Sequence, residues 1–352
     1  MLNFTSNNIA CISDIHLGVH QNSHVWHNIA IDFAKWLDSV LKEKNIKDIV
    51  IAGDIFHNRH EIGVNTIHAA YKFFDILKDY NIVAITGNHD CYYKDKSDIN
   101  SVAILNKQNI RVFEDVTTFT EQNKKITFCP WGAELKDIPL SDIIFGHFEI
   151  LNFKMNQHKI CDHGLETEHL LNKAQLIISG HFHYREHRKY SNGKSILYLG
   201  SPYELDFGDR DQIKGVSILN LENLQIEFIE NNITPKHKKL KLSELLQEKD
   251  HLEKFTSDLT NNFISLCVDC NAKPQIIELI VSKFAGFKPK HIRTDYNIFE
   301  PIQLSATDME GFSIDIDTAL HEFVNMLDTP VSKKDILEKC LELYKLSLVQ
   351  NE

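Results

Sequence analysis

The stretch Ile82-Val83-Ala84-Ile85-Thr86-Gly87-Asn88-His89-Asp90 decides the fold. Apolar and β-branched residues run as a buried strand and then break, without a spacer, into a polar loop. The same arrangement recurs along the chain. Residues 9–12 run toward Asp14-Ile15-His16, residues 49–52 into Gly53-Asp54, residues 143–145 into Gly146-His147, and residues 176–179 into Gly180-His181-Phe182-His183. A sheet aims the residues at its strand ends toward one point, so these polar groups are expected to converge. Imidazole, carboxylate and amide donors together suit divalent first-row metals, and there are enough of them for two ions. A lone Asp-x-His or Gly-Asp pair would mean little. Four such segments in order, with Gly146-His147 as a fifth candidate, each behind a buried strand, point to a dinuclear metal centre.

Two ions about 3.5–4 Å apart need a shared ligand. Asp54 is the natural bridge, because Gly53 before it lets the backbone turn tightly into the site. Asp14 and His16 lie two apart, so in an extended segment both point to one face and can hold one ion. His181 and His183 share that spacing and can reach the cluster from the opposite rim. Asn88 offers a neutral oxygen. His89 beside it, as a non-ligand imidazole, can stabilise charge on a reacting phosphate or protonate a leaving alkoxide. His89 and Asp54 are therefore the candidate catalytic residues.

The bulk properties set wide bounds. A chain of 352 residues has room for one large domain and smaller additions, and 43% hydrophobic with 25% charged residues is ordinary for a globular protein. No stretch approaches the ~20 consecutive apolar residues of a membrane span. Residues 1–8 are polar and lead straight into the first strand, so no signal peptide is expected. Seven irregularly spaced cysteines suggest reduced thiols in a cytoplasmic compartment. A net charge of −11 argues against coating nucleic acid by bulk electrostatics, but it leaves room for a local basic groove.

Residues 1–230 alternate strands with helical stripes, at 26–42 and 66–77, which predicts a mostly parallel sheet covered by helices. After Gly193 the rhythm turns to short strands at 195–199, 215–221 and 224–229, expected to form a second sheet. Residues 231–299 read as a small α/β capping domain. Lys236-His237-Lys238-Lys239 looks like a solvated linker, 264–268 like a strand, 274–284 like a helix opened by Pro274, and 291–296 like another strand. Residues 300–314 read as a linker. Residues 315–352 carry two amphipathic stripes, 316–327 and 333–348, separated by Pro330 and with Ser332 placed to cap the second. Short helices are marginal alone, so this pair is expected to dock on a partner.

The set Asp14-x-His16, Gly53-Asp54, Gly87-Asn88-His89-Asp90, Gly146-His147 and Gly180-His181-x-His183 resembles the calcineurin-like phosphoesterase superfamily. Within it, His57 three residues after Asp54, Gly146-His147-Phe148-Glu149 followed by His163-Gly164-Leu165-Glu166, and Leu199-Gly200-Ser201-Pro202 resemble SbcD-type nuclease subunits of double-strand-break repair complexes, most closely the recombination endonuclease subunits of tailed phages. The resemblance covers roughly residues 8–230. It implies a two-sheet αββα sandwich with a small capping domain and a C-terminal helical pair. One metal would take Asp14, His16 and His183, the other Asn88, His147 and His181, with Asp54 bridging. His89 would be the catalytic non-ligand histidine, and His57 would help to place the DNA backbone. The metals would be manganese. Partners would be DNA and a coiled-coil, SMC-like ATPase, with the chain a homodimer inside a heterotetramer.

Weaker features surround these motifs. Arg185, Arg188 and Lys189, like Arg59, Tyr92, Tyr93 and Lys94, are candidates to clamp DNA phosphates, with solvated loop residues as the alternative, and Lys283, Lys288, Lys290 and Arg293 make a basic cluster in the capping domain. Cys267 and Cys270 are three apart on a predicted strand, which sends their sulfurs to opposite faces and argues against a metal site. The sequence thus reads as a two-metal DNA exonuclease or endonuclease. A phosphomonoesterase or nucleotide phosphatase on the same fold, or a non-catalytic scaffold, are the alternatives.

Overall fold

The structure, a computed structural model, describes residues 4–94, 96–106, 109–247, 256–296, 320, 324 and 332–349. The chain divides into two units, Met1–Asn297 and Ile298–Glu352. The first twelve strands are β1 (Asn8–Ile12), β2 (Asp48–Ile51), β3 (Asn81–Ile85), β4 (Ile110–Phe113), β5 (Thr117–Glu121), β6 (Lys124–Cys129), β7 (Ile143–His147), β8 (Leu176–Gly180), β9 (Glu186–Lys189), β10 (Ser195–Tyr198), β11 (Gly215–Asn220) and β12 (Ile226–Glu230). They form two six-stranded sheets, ordered β12-β11-β1-β2-β3-β4 and β5-β6-β7-β8-β10-β9.

Strands β1 to β4 are mutually parallel, as are β6, β7, β8 and β10. Their alternating side chains explain the layering. Ile9, Cys11, Val50, Val83 and Ile85 face Phe128, Phe145, Ile178 and Leu197 in a core between the sheets. The opposite face of the first sheet, with Ile12, Ile49 and Ile51, is covered by the helices His24–Glu43 and Val64–Ile76. Ile29, Phe33 and Leu37 recur every four residues along the longer helix and are all buried. Phe33 is 0% exposed, so trimming it to alanine would cost about 3–5 kcal/mol. The outer face of the second sheet is covered by Phe153, Leu170 and Leu171, from loops and the short helix Thr167–Leu171. This is the expected two-sheet αββα sandwich.

Two sequence-based expectations are corrected. The late strands do not make a sheet of their own. β10 joins the second sheet beside β8, whereas β11 and β12 return to the first and close it antiparallel against β1. Nor is 236–239 a linker. Residues 237–239 lie in β13 (His237–Lys241), which with β14 (Phe263–Val268) and β15 (His291–Tyr296) makes a parallel three-stranded sheet. Leu240 joins Ile264, Leu266 and Val268 under the helix Pro274–Ala285, which packs through Ile277, Ile280 and Phe284. His237, on the other face of β13, lies against Trp26 and Phe207. The lysines between them hid the strand's alternation.

In the second unit, Ser332 stands just before the helix Lys333–Val349, with its carbonyl accepting from the Ile336 N–H at 3.1 Å. The expected helix at 316–327 lies outside the described residues except for Leu320 and Val324, both helical. The expected linker at 300–314 also lies outside them.

Candidate metal centre

Parallel pairing puts the C-terminal ends of β1, β2 and β3 on one edge of the first sheet and those of β7 and β8 on one edge of the second. The candidate ligands follow those ends, and the backbone is bent to aim them. Asp14, His16, Asp54 and His181 all adopt positive φ, at 56°, 51°, 53° and 91°. Residues with side chains avoid that region, and strain of this kind gathers at functional sites. The packing leaves no slack. A Cβ on Gly87 would lie 2.2 Å from an Asp54 carboxylate oxygen, so only glycine lets the β3 loop pass this close.

The side chains gather into two groups. Asp14, His16 and His183 present one donor atom each within 4.8 Å of one another, and so do Asp54, His147 and His181. The Nε2 atoms of His16 and His183 are 3.0 Å apart. Asn88 Oδ1 lies 2.7 Å from His181 Nδ1 and 3.1 Å from His147 Nε2, which places the amide with the second group. Asp54 faces both groups, with Oδ2 at 3.5 Å from His16 Nε2 and Oδ1 at 3.4 Å from His147 Nε2. That is the geometry a bridging carboxylate requires.

Electrostatics favour bound cations. Asp14 and Asp54 are 0% and 1% exposed, and among the described residues neither has a lysine or arginine ion pair. Burial raises the Asp14 pKa. Burial opposes ionisation of Asp54 too, but His147 and His16 beside it hold that carboxyl well below its usual range. Burial likewise opposes a charge on His147, yet Asp54 pushes its pKa up to about 9. His16 is driven down by burial. Buried carboxylates facing only imidazoles and an amide fit two divalent ions. His147 already donates from Nδ1 to the Ala52 carbonyl at 2.7 Å, leaving Nε2 directed at the cluster.

His89 stands apart from both groups. Its Nδ1 lies 2.8 Å from the His57 carbonyl, and its ring stacks on His57 at 5.1 Å. His57, whose pKa burial lowers to about 4, lies with its Nδ1 3.3 Å from His16 Nδ1. A third grouping, His16 with His57 and His89, is also close enough to hold an ion. A cavity of about 580 Å³ opens over His16, His57 and His183.

Several supporting residues carried no role in the sequence reading. Asp90 accepts from the Phe56 N–H at 2.9 Å and the Gly87 N–H at 2.9 Å, tying the loop that carries Asp54 to the loop that carries Asn88. Glu149 lies two residues beyond His147, a spacing that could have flagged it, and reaches His181. Lys214 is 5% exposed and donates to the His183 carbonyl and to Ser201 Oγ, both at 2.7 Å, while pairing with Asp209 at 3.1 Å.

The expected DNA contacts separate into two kinds. Tyr92 and Tyr93 are exposed near the centre, and Trp131, whose ring centre is 5.1 Å from that of His181, donates to the Lys94 carbonyl. Arg59 is half-buried in the loop after His57. Arg185 lies over the Phe228 ring at 4.2 Å. Arg188 is already engaged: it sits 3.9 Å over Phe153 and pairs with Glu186 at 2.7 Å, because alternation along β9 turns it to the face opposite Arg185.

Among the described residues no helix is long and apolar enough to cross a membrane. The family described as calcineurin-like phosphoesterase matches residues 8–185. Exonuclease subunit 1 of Enterobacteria phage T4 is 32% identical over 235 residues, covering 63% of this chain and 67% of that protein. The DNA polymerase II small subunit of Methanothermobacter thermautotrophicus is 22% identical over 227 residues, covering 52% of this chain and 45% of that protein. A dimetal phosphatase from Danio rerio aligns with a TM-score of 0.39 and 11% identity, over 62% of this chain and 93% of that one.

Proposed function

Because the chain belongs to the calcineurin-like phosphoesterase family, we propose that it is a two-metal DNA nuclease, the hydrolytic subunit of a recombination and repair assembly. The observation that carries the reading is its similarity to a phage exonuclease subunit over two thirds of that protein's length. The exposed Tyr92 and Tyr93 beside the centre and the third sheet add surface that a small phosphomonoester would not need.

In this reading Asp14, His16 and His183 hold one ion, Asn88, His147 and His181 the other, and Asp54 both. Such ions, manganese by resemblance, supply a water acidified toward neutrality and neutralise the phosphate. The chain's own residues do the rest. Asp90 and Glu149 fix the ligands, His57 places the strand, and His89, as the doubly protonated imidazolium, gives its Nε2 proton to the departing sugar oxygen while its Nδ1–H stays on the His57 carbonyl. The segment at 315–352 docks on a coiled-coil ATPase. The test is a manganese-dependent assay on linear duplex DNA beside p-nitrophenyl phosphate. Cutting of DNA with little monoesterase activity supports the nuclease. The reverse would favour a phosphomonoesterase, and inactivity on both a scaffold.

A further inference from the structure

A second cavity, of about 380 Å³, lies where the two-sheet unit meets the third sheet. It shares His20 and Asp206 with the cavity over the metal centre, so the two form one trough leading away from His16, His57 and His183. Its floor is aromatic. Trp26 and Phe263 lie 5.0 Å apart and within 11° of parallel, and His237 is nearly parallel to both. His20 stacks on Trp26 at 4.6 Å. Phe207 meets His237 edge-on at 4.7 Å and carries the Arg293 guanidinium 3.9 Å over its ring. Lys290 and His291 complete a basic rim; Asp206 there accepts from the Gly208 N–H, and Asp295 pairs with Arg293 at 3.0 Å through Nη2, leaving Nη1 for a ligand.

Trp26, His237 and Phe263 are buried and also hold the third sheet to the first two. The surfaces left for a ligand are His20, half-buried Phe207 and Arg293. His20 is kept at the junction of the cavities against its backbone preference. His20, Gln21 and Asn22 take φ of 53°, 57° and 58°, a left-handed run that side-chain-bearing residues avoid. Asn65 bonds the Asn22 carbonyl, Thr66 bonds the Asn22 side chain, and His20 Nε2 lies 2.8 Å from the Leu205 carbonyl. Strain held in place by several neighbours marks functional positions.

We propose that this pocket takes one unpaired nucleobase of the strand whose phosphodiester lies at the metal centre, with the adjoining phosphate on Lys290, His291 and Arg293. The proposal rests on the nuclease reading above. Aromatic planes accept any base through its π face, and a guanidinium adds both stacking and charge. The trough supplies these side by side and continuous with the site of cleavage.

The test uses the full chain with manganese and single-stranded oligonucleotides carrying 2-aminopurine at successive positions from the cleavage site, read by stopped-flow fluorescence before cutting begins. Fluorescence is expected to fall at one position near the scissile linkage, and an abasic residue there to weaken binding about tenfold. Phe207→Leu and Arg293→Gln should each abolish both effects, with thermal melting showing that the variants are folded. No quench at any position, or a quench that survives in both variants, overturns the proposal. Competition by adenosine monophosphate as strong as that of the strand also overturns it, because the pocket would then serve a free nucleotide. A wild-type protein that hydrolyses a small phosphodiester but does not bind DNA would overturn the nuclease reading, and the proposal with it.

Discussion

Glu149 Oε1 lies 3.2 Å from Nε2 of His181, while Nδ1 of the same ring faces Asn88. The contact assigns the proton. With Nε2–H donating to the carboxylate, Nδ1 keeps its lone pair for a metal. The same bond holds the Glu149 carboxyl below its usual range. Glu149→Ala should therefore weaken the ion held by His181 about 10–100-fold, and calorimetric titration of the metal-free protein would show two unequal sites. Two affinities unchanged from wild type would count against this role.

Asp54→Ala removes the carboxylate that faces both groups. The expected outcome is joint collapse of metal occupancy and hydrolysis, checked by elemental analysis beside an activity assay. Near-full occupancy with normal cutting would exclude Asp54 as the bridge.

His89→Gln should keep both ions and bind DNA, yet cut about 10²–10⁴-fold more slowly. The structure gives this test an edge, because His89 also lies close enough to His16 and His57 to share an ion with them. A drop in metal stoichiometry would make it a ligand.

Lys214→Met leaves Asp209 buried and without its cation. A broken buried pair costs about 3–5 kcal/mol, so thermal melting should fall by several degrees. Adding Asp209→Asn should recover much of the loss. Equal melting of the single variant and wild type would mean that the pair contributes nothing.

Deleting residues 315–352 should leave manganese-dependent cutting of simple DNA largely intact and abolish association with the ATPase. Wild-type co-purification of the truncated chain would sink the docking role. Unfolding of Met1–Asn297 would show instead that the segment is part of its core.

The two-sheet sandwich was legible because its parallel strands are buried on both faces and read as unbroken apolar runs, as at 82–86 and 176–179. The clustering of the seven candidate ligands was legible for a related reason: each follows such a run, and the structure gathers them at the matching strand ends. What resisted reading depends on partners distant in sequence. Nothing local tells β10 to join β8 while β11 crosses to β1. β13 shows a histidine and a leucine among lysines, because one face meets the capping core and the other meets Trp26. Glu149 and Lys214 act on His181 and His183 through contacts that span 32 and 31 residues; the spacing from His147 hints at Glu149, but no motif announces Lys214.

The pairing of β11 with β1 sets a timetable for folding. Asn8 pairs with Asn220, and Cys11 with Ser217, so the first sheet acquires those neighbours only after more than 200 residues have been synthesised. By then every candidate ligand, from Asp14 to His183, is already part of the chain. Until β11 arrives, β1 is an open edge whose unpaired backbone can recruit other strands. Closing so long a loop is entropically slow. The nascent protein therefore passes through an interval in which the donor atoms exist but the frame that holds them does not, and that interval is when aggregation or capture of the wrong metal can compete with folding.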